Sequence, residues 1–199
     1  MSKLSYKVRY DIDRLRVPTR FNPQVDDRHA LRLETGMWSI VDRTWTRALA
    51  DHIGSRRCLE VFAGRGWLAQ ALSEYHGVDL VATSRFSTHD GSDKGLVFDV
   101  IDMSGTEAVM TFDFEVLIFG WPVADKTAYH TVQTARRFGR QFEIVFIGEP
   151  YSTNPFSLSG TASDEFFECC EVIKEIREYR ETRGHQGIDV CQIMRMKDH

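Results

Sequence analysis

One stretch of this chain places chemistry-bearing residues beside backbone that can approach a ligand: Leu59-Glu60-Val61-Phe62-Ala63-Gly64-Arg65-Gly66-Trp67-Leu68. An apolar run ends, small residues follow, and an amphipathic run begins. That pattern reads as a buried strand, a tight turn and a helix. Glycine at 64 and 66 allows positive φ and a close backbone approach. The helix start presents unpaired N–H groups to a polar or anionic ligand group. Glu60 lies inside the apolar run, where a carboxylate is costly without a partner. That cost marks it as a candidate site residue. The purely structural alternative is a tight turn with Glu60 bonded to backbone N–H groups.

Other chemistries find little support. His76, His89, His130 and His185 are scattered over expected loops and helix surfaces, and no Ser-His-Asp arrangement is legible. Cys58, Cys169, Cys170 and Cys191 show no CxxC spacing, so no metal site is expected. Cys58 and Cys191 fall in apolar runs, where a free thiol acts as a small hydrophobe.

The elements around the glycine turn alternate. Trp38, Val41, Trp45 and Leu49 recur at helical spacing and predict a core-facing helix ending near Gly54. Strands are expected at 57–62, 80–83, 95–98, 114–119 and 142–147, with helices over 67–75 and 125–138. Thr161-Ala162-Ser163-Asp164 matches a capping box that would open a further short helix. Residues 172–180 and 188–196 alternate with period two around Gly184-His185-Gln186-Gly187, which predicts an antiparallel hairpin. The fold class expected is α/β: a doubly wound, mostly parallel sheet with helices on both faces and a C-terminal antiparallel β-hairpin.

Charge is unevenly spread. Residues 1–20 hold six Lys or Arg (Lys3, Lys7, Arg9, Arg14, Arg16, Arg20) against two Asp, a local +4; the whole chain carries −4, which leaves −8 on the remainder. Pro18 and Pro23 interrupt this region. Residues 1–35 are therefore expected to form a basic N-terminal extension and residues 36–199 the folded domain. The extension is expected to lie beside the ligand mouth and to offer a contact to a phosphate-bearing partner such as nucleic acid; the opposing expectation is a packing strap built on Tyr6, Val8, Tyr10 and Phe21. With no apolar leader and no apolar run of about 18 residues, a cytoplasmic, non-membrane protein is expected.

Glu60-x-Phe62-Ala63-Gly64-x-Gly66 resembles motif I of the class I S-adenosylmethionine (SAM)-dependent methyltransferases. The resemblance spans roughly Gly36 to Met196 and includes the helix before the first strand, the five parallel strands and the terminal hairpin. It implies that SAM is the cofactor, with its methionine and ribose part over Glu60, Phe62, Ala63, Gly64 and Gly66. It also implies that Asp99-Val100, after the third strand, holds adenine. Three departures stand out. The acidic residue expected after the second strand is replaced by Ser84-Arg85. The tetrad of amino-methylating members reads Gly120-Trp121-Pro122-Val123 and lacks its polar side chain, although Trp121 could stack on a planar substrate. A long Ser/Asn/Pro loop follows Gly148-Glu149-Pro150. Glu149 or Asp125 would be a general base by sheet position alone. The resemblance implies methyl transfer to an unidentified acceptor. Two alternatives stay open: a binding or regulatory protein on this fold with weakened or lost chemistry, and an NADP-dependent reductase, since Gly64-x-Gly66-x-x-Ala69 fits that fingerprint and Arg85 could meet a 2′-phosphate.

Overall fold

The computed structural model describes residues 17–22, 28–88, 95–150, 161–180 and 188–197. The chain runs α1 (Arg28–Thr35), α2 (Arg43–Ile53), β1 (Cys58–Val61), α3 (Trp67–Gln70, its last turn widened over Ala71–Tyr75), β2 (Leu80–Ser84), β3 (Val100–Asp102), α4 (Gly105–Thr111), β4 (Val116–Gly120), α5 (Thr127–Arg137), β5 (Glu143–Gly148), α6 (Asp164–Cys169), β6 (Cys170–Glu175) and β7 (Val190–Met196). These strands form one sheet in the order β3-β2-β1-β4-β5-β7-β6. Pairing is parallel from β3 through β5, while β7 runs antiparallel to both β5 and β6.

Strand periodicity divides the core into two faces. Cys58, Val116, Ile118, Val145, Ile147, Cys191 and Ile193 pack on one side with Trp45, Leu49 and Ile53 of α2. Leu59, Val61, Leu117, Phe119, Ile144 and Phe146 pack on the other with α4, α5 and α6. Glu60 shares the face of Cys58 by alternation. The chain order builds a crevice: β1 leads outward to β2 and β3, then returns to β4 on the opposite side. Ligands of doubly wound sheets bind where the strand order reverses in this way, outside the carboxyl ends of the strands.

Several sequence expectations are corrected. The helix anticipated from Trp38 starts at Arg43. Asp42 caps it, accepting from the Thr44 and Trp45 N–H groups at 2.8 and 3.1 Å. Trp38 lies in the preceding loop and is 45% exposed. The third strand is at 100–102, not 95–98. Side chains of the glycine turn and of α3 intercept the earlier segment: the Arg65 Nε–H donates to the Gly95 carbonyl, and the Gln70 amide donates to the Val97 carbonyl at 3.0 Å. The short helix opens at Asp164 with Ser163 before it. Thr161, read as its cap, instead accepts from the Glu149 N–H at 3.0 Å. After β6, residues 177–179 turn inward as a short 3-10 segment. This buries Tyr179 edge-on against Trp45, with ring centroids 4.8 Å apart. The turn at 184–187 lies outside the described residues.

Residues before position 36 also take part in the core. Val17, Phe21 and Leu31 belong to the core, at 2%, 1% and 0% exposure. The segment is tied down at backbone level: the Phe21 N–H donates to Asp42 Oδ2 at 2.8 Å, and the Arg43 N–H donates to the Pro18 carbonyl at 2.9 Å. Residues 17–21 are a strap across α2. Tyr6, Val8 and Tyr10, and every basic residue before Val17, lie outside the described residues. No helix among the described residues is long and apolar enough to cross a membrane.

The strap makes a testable difference. Phe21→Ala should lower the unfolding free energy by about 3–5 kcal/mol, as for other fully buried aromatics. Leu33→Ala, at a position 64% exposed, should stay within about 0.5 kcal/mol of the parent. Urea unfolding of the two variants reads the contrast, and similar losses would contradict a strap at residues 17–21.

Candidate functional site

The crevice at the ends of β1 and β4 holds a cavity of about 550 Å³, whose walls include Phe62, Gly64, Ser84, Arg85, Gly120 and Trp121. A smaller recess of about 40 Å³ continues beneath it, reaching Glu60, Ala63, Gly64 and Gly120. Ala63, Gly64 and Arg65 of the glycine turn border these cavities. Gly64 and Gly66 take φ of 58° and 88°, the left-handed region that a Cβ penalises. Gly66 is required for packing as well, since a Cβ there would lie 2.8 Å from Phe98 Cβ and 2.9 Å from Val100 Cγ2. Arg65 pins the turn from behind. Its guanidinium donates to the Thr35 carbonyl and its own carbonyl accepts from the Val97 N–H at 2.9 Å.

Glu60 sits at the floor, 1% exposed, and its Oε2 has no hydrogen-bond partner among the described residues. The Ala69 N–H meets this carboxyl, as the purely structural alternative expects, yet Oε2 stays unpaired among the described residues. Burial pushes the carboxyl up to about 8; the Ala69 N–H favours the ionised form but does not offset the loss of water. Gly120 leaves the space above it open: a Cβ at 120 would stand 3.0 Å from Glu60 Oε1.

Among the described residues, two non-glycine residues have positive φ: Phe62 at 61° and Trp121 at 57°. Both line the cavity. A left-handed backbone at such residues costs on the order of 1–3 kcal/mol and persists where surrounding structure enforces it, often at binding sites. Phe62 stands one residue past β1 with its ring 6.0 Å from that of Phe119. Trp121 follows β4, its N–H donating to the Ile147 carbonyl at 2.7 Å.

The remaining candidates divide. Ser84, at the end of β2, lines the cavity and is 8% exposed. Arg85 also lines it, but its guanidinium pairs with Glu107 at 2.8 Å. Glu107 is in turn held below its ordinary value by hydrogen bonds from Ser104. Asp99 precedes β3 and Val100 is inside it, packed behind Gly66, and neither is among the lining residues of the cavity. The acidic-apolar pair at the carboxyl end of β3 is Asp102-Met103. Asp102 accepts from the Phe86 N–H at 3.0 Å, and Met103 reaches the cavity. Asp125 is at the cavity wall and Glu149 is not among the lining residues. Sequence reasoning missed Trp38, Met103 and Thr161 as wall residues. For Trp38 the sequence signal was divided: Ser39 and Asp42 are equally good helix caps by residue type, and the structure uses Asp42, which leaves Trp38 outside. Away from the cavity, His76 Nε2 lies 3.0 Å from Thr46 Oγ1. All four cysteines are buried and unpaired as disulfides.

Neither a family model nor a curated protein matches this sequence. Solved structures do match. The mitomycin 7-O-methyltransferase MmcR is 14% identical with a TM-score of 0.50, over 85% of this chain and 57% of that one. A TehB-like SAM-dependent methyltransferase from Corynebacterium glutamicum is 14% identical at 0.49, over 88% and 100%. The ribosomal protein L11 methylase from Lactobacillus delbrueckii subsp. bulgaricus is 11% identical at 0.49, over 90% and 86%. With its strand order, antiparallel β7 and glycine turn at the switch point, this chain has the class I methyltransferase fold.

Proposed function

We propose that the cleft binds S-adenosylmethionine and that the protein is a SAM-dependent methyltransferase. The observation carrying this is the buried, half-unpaired carboxylate of Glu60 beneath a glycine turn at the switch point. A buried acceptor with an open approach suits a cationic amino-acid end. Glu60 would take the ammonium group, with Gly64 and Gly120 leaving room for the chain that follows. Ser84 would meet the ribose, and Asp102-Met103 the adenine. The cofactor, when bound, supplies an electrophilic methyl group on a sulfonium. The protein's own task is then to exclude water and orient the acceptor in line. Asp125 is the carboxylate among the lining residues of the larger cavity, so it is the group assigned to accept an acceptor proton. Four unpaired thiols suit a reducing compartment such as the cytoplasm.

A second reading, a ligand-binding protein without turnover, is favoured by one observation: Ser84-Arg85 supplies no carboxylate at the end of β2, and Arg85 is engaged by Glu107. The reductase alternative loses ground, because the dinucleotide-binding sheet has the order 3-2-1-4-5-6, whereas here an antiparallel β7 separates β5 from β6.

Calorimetric titration with SAM, S-adenosylhomocysteine and NADPH tests these readings. The first two should bind and NADPH should not. Gly64→Asn, which tolerates the left-handed backbone but fills the approach space, should weaken S-adenosylhomocysteine roughly tenfold or more. Ser84→Asp should tighten it by about 1.5–3 kcal/mol through charge-assisted bonds to the ribose hydroxyls. Absence of binding by the parent protein at millimolar ligand would remove the proposal.

Glu60 also yields a pH test on the free protein. Its folded value of about 8 lies above the ordinary 4.5, so the folded state holds this proton more tightly than the unfolded chain. The resulting stabilisation is complete below about 4.5 and is lost as pH rises through about 8. Glu60→Gln removes this contribution. Its melting temperature should gain on the parent's between about pH 5 and about pH 8.5. Parallel melting curves across that window would mean that Glu60 is already ionised and paired.

A further inference from the structure

The cleft has more aromatic wall than the proposed cofactor site uses. Trp38 and Trp121 both line the main cavity and the recess below it. They come from different elements, the loop before α2 and the end of β4. Arg32 of α1 joins them: its Nε–H donates to the Trp38 carbonyl at 2.7 Å, and its guanidinium carbon lies 4.6 Å from the centre of the Trp121 ring. Trp38 is 45% exposed despite its size. Trp121 keeps its side chain on the cavity at the cost of a left-handed backbone. A residue serving only as packing would not need that conformation, and an exposed tryptophan beside it is not explained by the core. The rest of this end of the cavity is Pro122, Val123 and Thr161, with Asp125 the carboxylate there. The cation at the ribose end, Arg85, is engaged by Glu107. The wall here is thus two indole rings, one of them stacked on the Arg32 guanidinium, with Asp125 as its lining carboxylate.

From this we infer that the Trp38–Trp121 end of the cleft is the acceptor subsite and takes a small, planar, uncharged aromatic molecule bearing a hydroxyl or ring nitrogen. The inference rests on the proposed function for the other end of the cleft, which it leaves to the cofactor. Flat rings gain from stacking on indole faces beyond the area they bury, and an amphipathic polar group on the ring can turn toward Asp125 or Thr161. Arg32 is a positioning residue here, fixing both tryptophans without itself meeting the acceptor. This also gives the N-terminal segment a share in the cleft, through Arg32.

The test is calorimetric titration of the full chain with 2-naphthol and, as a non-planar match, decahydro-2-naphthol, each with and without saturating S-adenosylhomocysteine. A short single-stranded DNA oligonucleotide is a third arm. The expected result is 2-naphthol binding roughly tenfold or more tighter than its saturated counterpart. That preference should be lost in Trp38→Ala and kept in Trp38→Phe, which separates loss of the aromatic face from misfolding. Arg32→Met should weaken 2-naphthol less than Trp38→Ala does. Equal affinity for the flat and saturated rings, or a preference untouched by Trp38→Ala, overturns the inference. Tighter binding of the oligonucleotide that depends on Trp38 overturns the small-molecule assignment. If S-adenosylhomocysteine binds and 2-naphthol does not, this inference falls alone. If 2-naphthol binds by way of Trp38 and S-adenosylhomocysteine does not, the cofactor reading falls and the aromatic subsite stands.

Discussion

A carboxylate on a strand buried on both faces is a constraint that the rest of this molecule answers. Glu60 is carried on β1, between β2 and β4, with solvent reduced to 1% exposure. Alternation along β1 fixes its side chain to the α2 face, and neighbouring β4 places a glycine beside it. A side chain at position 120 would close the approach to Glu60 Oε1. The chain then turns sharply through Phe62 to Gly66, and Arg65 ties that turn to the end of α1 and to the segment before β3. The strap at residues 17–21 belongs to the same system, because Asp42 at the start of α2 holds Phe21 in place. The N-terminal segment, the first long helix and the glycine turn thus support one floor.

Stability and ligand capacity oppose each other at this floor. An unpaired buried carboxylate raises its own affinity for a proton, and two aromatic residues adopt a conformation that glycine would adopt without strain. Both left-handed aromatic residues and the unpaired oxygen of Glu60 border the cleft. Local costs of this kind are expected where a scaffold holds groups for something it must bind.

The architecture was legible because its signals are periodic. Apolar runs marked β1, β2, β4 and β5, and glycine punctuation marked the turn at 64–66. Alternation marked β6 and β7 as an antiparallel pair. It did not say which strand would meet β5. The burial of Val190, Cys191, Ile193 and Met194, against the exposed residues of β6, gives the physical reason for β7 taking the inner place. The third strand was misplaced because Gly95-Leu96-Val97-Phe98 has a strand's composition, yet Arg65 and Gln70 claim its carbonyls. Such long-range side-chain bonds leave no local trace. At the site, Glu60, Gly64 and Ser84 could be read directly. The left-handed backbone at Phe62 and Trp121 could not, since nothing in either residue type favours it. Trp38 was drawn into the helix by spacing, and Ser39 and Asp42 compete as caps by residue type; the contacts of Asp42 with Phe21 and the α2 N–H groups decide between them.

The central claim is that Glu60 is neutral in the free protein and becomes the anionic partner of a cationic ligand end. Infrared difference spectroscopy of S-adenosylhomocysteine binding at neutral pH tests it most directly. The expected result is loss of a protonated-carboxyl band on binding, with a matching gain of carboxylate absorption, both absent in Glu60→Gln. Binding that leaves the protonated-carboxyl region unchanged, or the same band loss in the Gln variant, would contradict it.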